Sequence, residues 1–246
     1  MLWNGPALTG ETVRTGRRLD KSENSMSVIS AIVPSPRKPG RFDVMVDDEP
    51  LATLSLDVIE RMCLTVGLEV DGLRDAIAAE AARLAVYDRA LNMLAFRARS
   101  ANELTRSLVR KGAERTDVDR AIVRLQEQGL LDDAAFAQAF TRAKVLGANQ
   151  SRRRVQQELG RKGVAREVSE AAISAVFEAE GIDQREVVEA AARKKARSLA
   201  RLDPSVQRRR LYAFLARRGY EGDDIRRAMD VVGKEFAAGE ESEGAE

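Results

Sequence analysis

The chain of 246 residues contains no histidine and a single cysteine, Cys63. Without histidine it cannot assemble a Ser-His-Asp triad or a histidine-bearing zinc site, and one thiol closes no disulfide within the chain. Aromatic residues make up only 4% of the sequence while charged residues reach 33%, which fits many small helices better than one thick sheet-based core. No run approaches the roughly 18 uninterrupted apolar residues of a membrane-spanning helix, and the N-terminus shows no apolar signal-peptide core, so a cytoplasmic protein without membrane contact is expected. No GxxxxGK[ST] loop, GxGxxG fingerprint or zinc-ligand spacing occurs, which argues against an ATPase, a dehydrogenase or a zinc enzyme.

What is present is an uneven charge. The net charge is +2 overall, yet residues 1–82 carry −4, residues 83–235 carry +10 and the remaining tail carries −4. A basic centre between acidic ends points to an anionic partner for the centre.

Residues 1–27 mix Gly, Thr, Ser, Arg and Asp without apolar periodicity and read as a disordered extension, with Met26 as an alternative start. Residues 28–82 read as a small β-meander plus helices. Ile29, Ala31 and Val33 alternate, as do Phe42, Val44 and Val46 before a turn at 47–50, and Leu54 with Leu56 extends a third antiparallel strand. Asp57 and Asp71 are candidate N-caps for two following helices. Cys63, in an apolar run, reads as a buried small hydrophobe.

From residue 83 the pattern is helical and repeats itself. Gly112, Gly163 and Gly219, spaced 51 and 56 residues apart, each follow two basic residues: Arg110 and Lys111, Arg161 and Lys162, Arg217 and Arg218. Four residues before each glycine stands Leu108, Leu159 or Leu215, and eight before stands Leu104, Val155 or Leu211. Ten and thirteen residues after come Ile122 and Leu125, Ile173 and Val176, Met229 and Val232. Each unit is therefore a helix, a glycine stop and a second helix, since glycine enters the left-handed conformation that ends helices. On those grounds Gly163→Val should damage folding.

A further amphipathic segment precedes each pair, giving three helices per unit over 83–130, 131–181 and 182–236, followed by an acidic disordered tail, 237–246. Asp132, Asp183 and Asp203-Pro204 mark helix starts, and Ser100 with Glu103 forms a capping box. Capping is also the better reading of Asp132 and Asp133 than a metal or acid–base pair, because no third ligand has suitable spacing. Tyr87, Phe136, Phe140 and Phe177 are expected in the core; core packing is likewise preferred to base stacking for Tyr212, Phe214 and Tyr220.

The run Leu94, Ala95, Arg97, Arg99, Ser100, Glu103, Leu104, Leu108, Lys111 and Gly112, followed by Gly129, Leu131, Asp132, Asp133, Phe136 and Ala137, resembles the RecX family. Lys162-Gly163 and Arg218-Gly219 fall where that family's later repeats would place them. The resemblance covers about residues 83–235, and the N-terminal segment looks like the lead-in of longer members. It implies a mainly α fold of three tandem three-helix units, elongated and curved. It also implies a non-enzymatic regulator, without cofactor or metal, that acts in DNA repair, homologous recombination and the SOS response. Such a protein binds RecA, or the RecA filament on single-stranded DNA, and restrains filament growth, ATP hydrolysis and strand exchange, here as a monomer.

The repeats differ in their charges. Eleven to nine residues before the glycine, the second has Arg152, Arg153 and Arg154 and the third Arg208, Arg209 and Arg210, where the first has Ala101, Asn102 and Glu103. With Arg161, Lys162, Arg217 and Arg218, and the cluster Arg193, Lys194, Lys195 and Arg197, they form a predicted basic face toward RecA or DNA. Basic residues in a helix's last turn also simply complement its dipole, but the triple-arginine runs are read near helix N-termini, where positive charge asks for a partner. Two other functions compete: an independent nucleic-acid binder with helix-turn-helix-like modules, and a structural helical adaptor.

Overall fold

A computed structural model describes residues 26–243, with side chains described through residue 235. The chain divides into two compact units, up to Ala81 and from Ala82 onward. Residues 1–25 and 244–246 lie outside the described residues, and with them most of the expected N-terminal extension and the end of the expected tail.

The first unit is built on the predicted meander. Strands β1 (Ile29–Pro34), β2 (Arg41–Val46) and β3 (Glu49–Ser55) pair antiparallel in the order β1-β2-β3. Asp47 and Asp48 form a two-residue hairpin, both with positive φ (51° and 66°), a conformation that aspartate tolerates better than most residues. The start of the free edge of β1 is covered: the Ile29 amide donates to the Leu68 carbonyl, and the Ile29 carbonyl accepts from the Gly67 amide. Ile29, Val44 and Leu54 are fully buried.

Four expectations change here. Leu56 is not in β3 but opens helix α1 (Leu56–Arg61) and stays exposed. The residue at the N-cap of α1 is Ser55, which leaves Asp57 in the first turn, where a carboxylate still suits the dipole. Helix α2 (Arg74–Phe96) starts three residues after Asp71, whose carboxylate instead accepts from the Ser27 amide. Cys63 is exposed, because it follows the C-cap of α1 in a left-handed conformation (φ 52°) and the burial in that run falls to Ile59 and Leu64.

The second unit holds three three-helix repeats. The first combines the later part of α2 with α3 (Ala101–Arg110) and α4 (Arg115–Glu127). The second has α5 (Asp133–Arg142), prolonged by a π-helical turn at Ala143–Gly147, then α6 (Arg152–Arg161) and α7 (Arg166–Ala179). The third has α8 (Gln184–Arg197), α9 (Pro204–Arg217) and α10 (Gly222–Glu243). The last helix thus runs on through residues expected to be an unstructured tail, consistent with the helix propensity of their Ala and Glu.

Each repeat has its own apolar cluster, around Leu104 and Leu108, around Val155 and Leu159, and around Leu211 and Leu215. Tyr87, Phe177 and Tyr220 are buried in these clusters, Phe136, Phe140 and Phe214 pack against them half-buried, and Tyr212 is exposed. The caps hold as read: Asp132, Asp183 and Asp203 accept from the first-turn amides of α5, α8 and α9. After the glycine stops, the amides of Ala113, Val164 and Tyr220 bond back to the carbonyls of Leu108, Leu159 and Leu215, satisfying helix-end acceptors.

Candidate functional site

The glycine stops do more than end helices, because in two repeats they receive the helix start of the repeat before. Ser100, N-cap of α3, accepts from the Glu103 amide and donates its hydroxyl to the Lys162 carbonyl. The Lys162 ammonium lies 3.4 Å from the Glu103 carboxylate, and Arg106 donates to the Arg161 carbonyl at 3.3 Å. Only half of the expected capping box forms, since Glu103 turns its carboxylate to Arg97, Arg99 and Lys162. The hydrogen bond from Arg97 chiefly holds that carboxyl below its ordinary range.

The second joint repeats the plan with different charges. The Ser151 amide donates to the Arg218 carbonyl at 3.1 Å, while the Ser151 hydroxyl caps α6. At the position equivalent to Glu103 stands Arg154, which cannot pair with a basic partner. Arg154 bonds Glu158 at 2.9 Å, and Arg218 lies over the Phe214 ring at 4.4 Å and donates to the Asn149 carbonyl.

These joints sort the predicted basic face. Lys162, half-buried, also stands over the Phe136 and Phe140 rings at 5.8 and 5.4 Å, so its charge is engaged within the fold. Arg193 is bracketed by Glu189 and Glu235 at 2.9 and 2.8 Å, and the hydrogen bonds it donates to them, that to Glu235 foremost, raise its pKa further. Lys195 lies 5.6 Å above Phe214. Arg152 lies 4.0 Å over Phe177, and Arg153 reaches Glu221 at 3.8 Å through an exposed and therefore weak pair.

Arg208, Arg209 and Arg210 are exposed and, among the described residues, meet no carboxylate; the same holds for Arg161, Lys194 and Arg217. Arg197 is exposed beside them in sequence and feels Glu235. Arg152 to Arg154 occupy the first turn of α6, as expected. Arg208 to Arg210 do not stand at a helix start, because Asp203 and Pro204 begin α9 one turn earlier than α3 and α6 begin relative to their glycines. Of the fourteen predicted residues, Arg161 and Lys162 line a common cleft.

The fold also gathers cations that were not placed in the predicted basic face. Arg97, Arg99, Arg106 and Arg110 share a cleft of about 500 Å³ with Arg161 and Lys162. No spacing in the sequence signals this cleft, since it forms only where two repeats meet. Among the described residues no cluster of acidic or sulfur ligands could hold a metal ion, and no helix is long and apolar enough to cross a membrane.

Comparison with known proteins places these repeats. Residues 87–125, 132–173 and 183–229 match the family models for the first, second and third three-helix domains of RecX. The regulatory protein RecX of Chlorobaculum tepidum is 33% identical over 159 residues, covering 64% of this chain and 95% of that protein. The regulatory protein RecX of Mycolicibacterium smegmatis is 36% identical over 152 residues, covering 60% and 77%. A crystal structure of regulatory protein RecX superposes with a TM-score of 0.66 at 21% identity, covering 83% of this chain and 99% of that one. The structure of RecX from Lactobacillus salivarius gives a TM-score of 0.51 at 18% identity, covering 62% and 97%. With all three repeats matched in order, the chain belongs to the RecX family.

Proposed function

We propose that this chain regulates the RecA recombinase in the cytoplasm, without chemistry of its own. It binds RecA, or the RecA filament on single-stranded DNA, and restrains filament extension, ATP hydrolysis and strand exchange. The observation that carries this reading is family membership through all three repeats. The arginines of α9 support it: three exposed guanidinium groups without a carboxylate partner among the described residues are available to an external anion. Within the predicted face, Arg208, Arg209, Arg210 and Arg217 are therefore assigned to the partner, together with Lys194.

RecA-catalysed ATP hydrolysis on single-stranded DNA tests the proposal, with this protein titrated from far below to equal RecA concentration. A fall at substoichiometric amounts is expected for a regulator of filaments. Unchanged hydrolysis despite DNA binding would favour the independent nucleic-acid binder, which the same unpaired arginines would also serve.

A further inference from the structure

We infer that the cleft between the first and second repeats is a binding site for the phosphodiester backbone of single-stranded nucleic acid, with Phe96 as a base-stacking platform beside it. This rests on the reading of the chain as a protein that works on DNA-bound filaments, and it assigns the DNA contact to a place that shares only Arg161 and Lys162 with the predicted basic face.

The cleft is formed by the residues after α2, one side of α3 and the end of α6, and its volume of about 500 Å³ falls within the range of small-ligand sites. Six cations line it: Arg97, Arg99, Arg106, Arg110, Arg161 and Lys162. Its two carboxylates are already occupied. Glu103 is held by Arg97, Arg99 and Lys162, and Glu158 by Arg154 and by Lys144 at 3.2 Å.

Arg106, Arg110 and Arg161 remain without a carboxylate among the described residues. The helix ends near Arg110 and Arg161 offset part of their charge, since a helix C-terminus carries about half a negative charge. The sum is still strongly positive, and concave walls focus that field. The carboxylate pairs at Glu103 also fix the directions of Arg97 and Lys162, so part of the cation array is arranged before any ligand arrives.

Phe96 favours nucleic acid over an acidic protein surface. It is 86% exposed, next in sequence to Arg97 at the end of α2. An exposed ring one residue from Arg97, which lines the cleft, matches the way single strands are held, by stacking on aromatic faces while cations follow the backbone.

The test is fluorescence anisotropy of a labelled 20-nucleotide oligo(dT) with the full chain and no RecA. The variant R106A/R110A/R161A should bind at least about tenfold more weakly, and its log–log salt slope should be shallower by about two, as expected on losing three phosphate contacts. F96A should lose about tenfold through stacking alone, with the slope unchanged. The control R142A/R226A/R227A removes the same formal charge from ion-paired surface positions and should bind within about twofold of the unchanged chain. Because Arg106 also bonds the Arg161 carbonyl, the single charge reversal R110E carries the test if the triple variant melts early.

The inference is overturned if the cleft variants bind like the unchanged chain, if cleft and control variants lose equally, or if the unchanged chain does not bind oligo(dT). Complete displacement of the oligonucleotide by polyglutamate of equal charge would overturn it in favour of an acidic protein partner. Failure here leaves the RecA hydrolysis assay untouched, so the two readings fail separately.

Discussion

The hydroxyl of Ser100, at the start of α3, donates to the carbonyl of Lys162, at the end of α6, across 62 positions of sequence. One side chain thereby caps its own helix and fastens the next repeat, and the buried Ser100 hydroxyl both donates and accepts.

This joint makes the three glycine stops unequal. Gly112, Gly163 and Gly219 all have φ near +80° (83°, 79° and 84°), so an added Cβ costs about 1–2 kcal/mol at each. At Gly163 that Cβ would also fall 2.4 Å from the Asn102 Cβ, whereas at Gly112 it meets nothing within 4 Å. Gly163→Ala should therefore destabilise by about 1–3 kcal/mol more than Gly112→Ala, the usual range for overpacking. Urea unfolding of the two variants checks this, and equal midpoints would remove the joint from the account.

Glu103 and Glu158 give the second unit an acid-sensitive connection. Hydrogen bonding from Arg97 keeps Glu103 ionised below the ordinary carboxylate value of about 4.5. At Glu158 burial works against ionisation, but the bonds from Lys144 and Arg154 outweigh it and the pKa is again lowered. A folded-state pKa below the unfolded one contributes stability above about 4.5 that is lost as pH falls through the folded value. The urea midpoint should therefore drop on acidification below about pH 4.5. In E103Q/E158Q that fall should be shallower, and an identical acid limb would contradict the assignment.

The predicted basic face should separate into two groups by experiment. R208A/R209A/R210A removes exposed guanidinium groups, so the melting behaviour should stay within about 0.5 kcal/mol while inhibition of RecA weakens. Arg193→Ala and Lys162→Ala break contacts within the fold and should lower the urea midpoint. Parallel measurements of stability and RecA ATP hydrolysis decide this; unaltered inhibition by a well-folded triple variant would move the functional surface elsewhere.

Cys63 should react with a thiol reagent such as dithionitrobenzoate in the native protein, because it is exposed in a left-handed turn. Labelling seen only in denaturant would instead return it to the buried position that its apolar neighbours suggest.

Helix starts were legible because capping is a local event: Asp132, Asp183 and Asp203 each bond amides two or three residues on. The strands of the meander were legible for the same reason, through alternation and a two-residue turn. Leu56 and Cys63 misled because apolar character alone does not distinguish a strand's last residue from a helix's exposed first turn. At Arg208 to Arg210 the repeat alignment was sound but the helix boundary was not, since α9 gains a turn from Asp203-Pro204.

The sequence by itself determined the three helical repeats, their glycine stops, the small antiparallel sheet and the family, all of which rest on short-range periodicity or on residues compared position by position. Only the tertiary structure decided which cations are committed inside the fold and which face outward. Lys162 reaches Glu103 across 59 positions and Arg193 reaches Glu235 across 42, because packed helices bring distant residues together. The physical reason is range: a turn of helix relates residues three or four apart, whereas an ion pair between helices depends on how their faces meet.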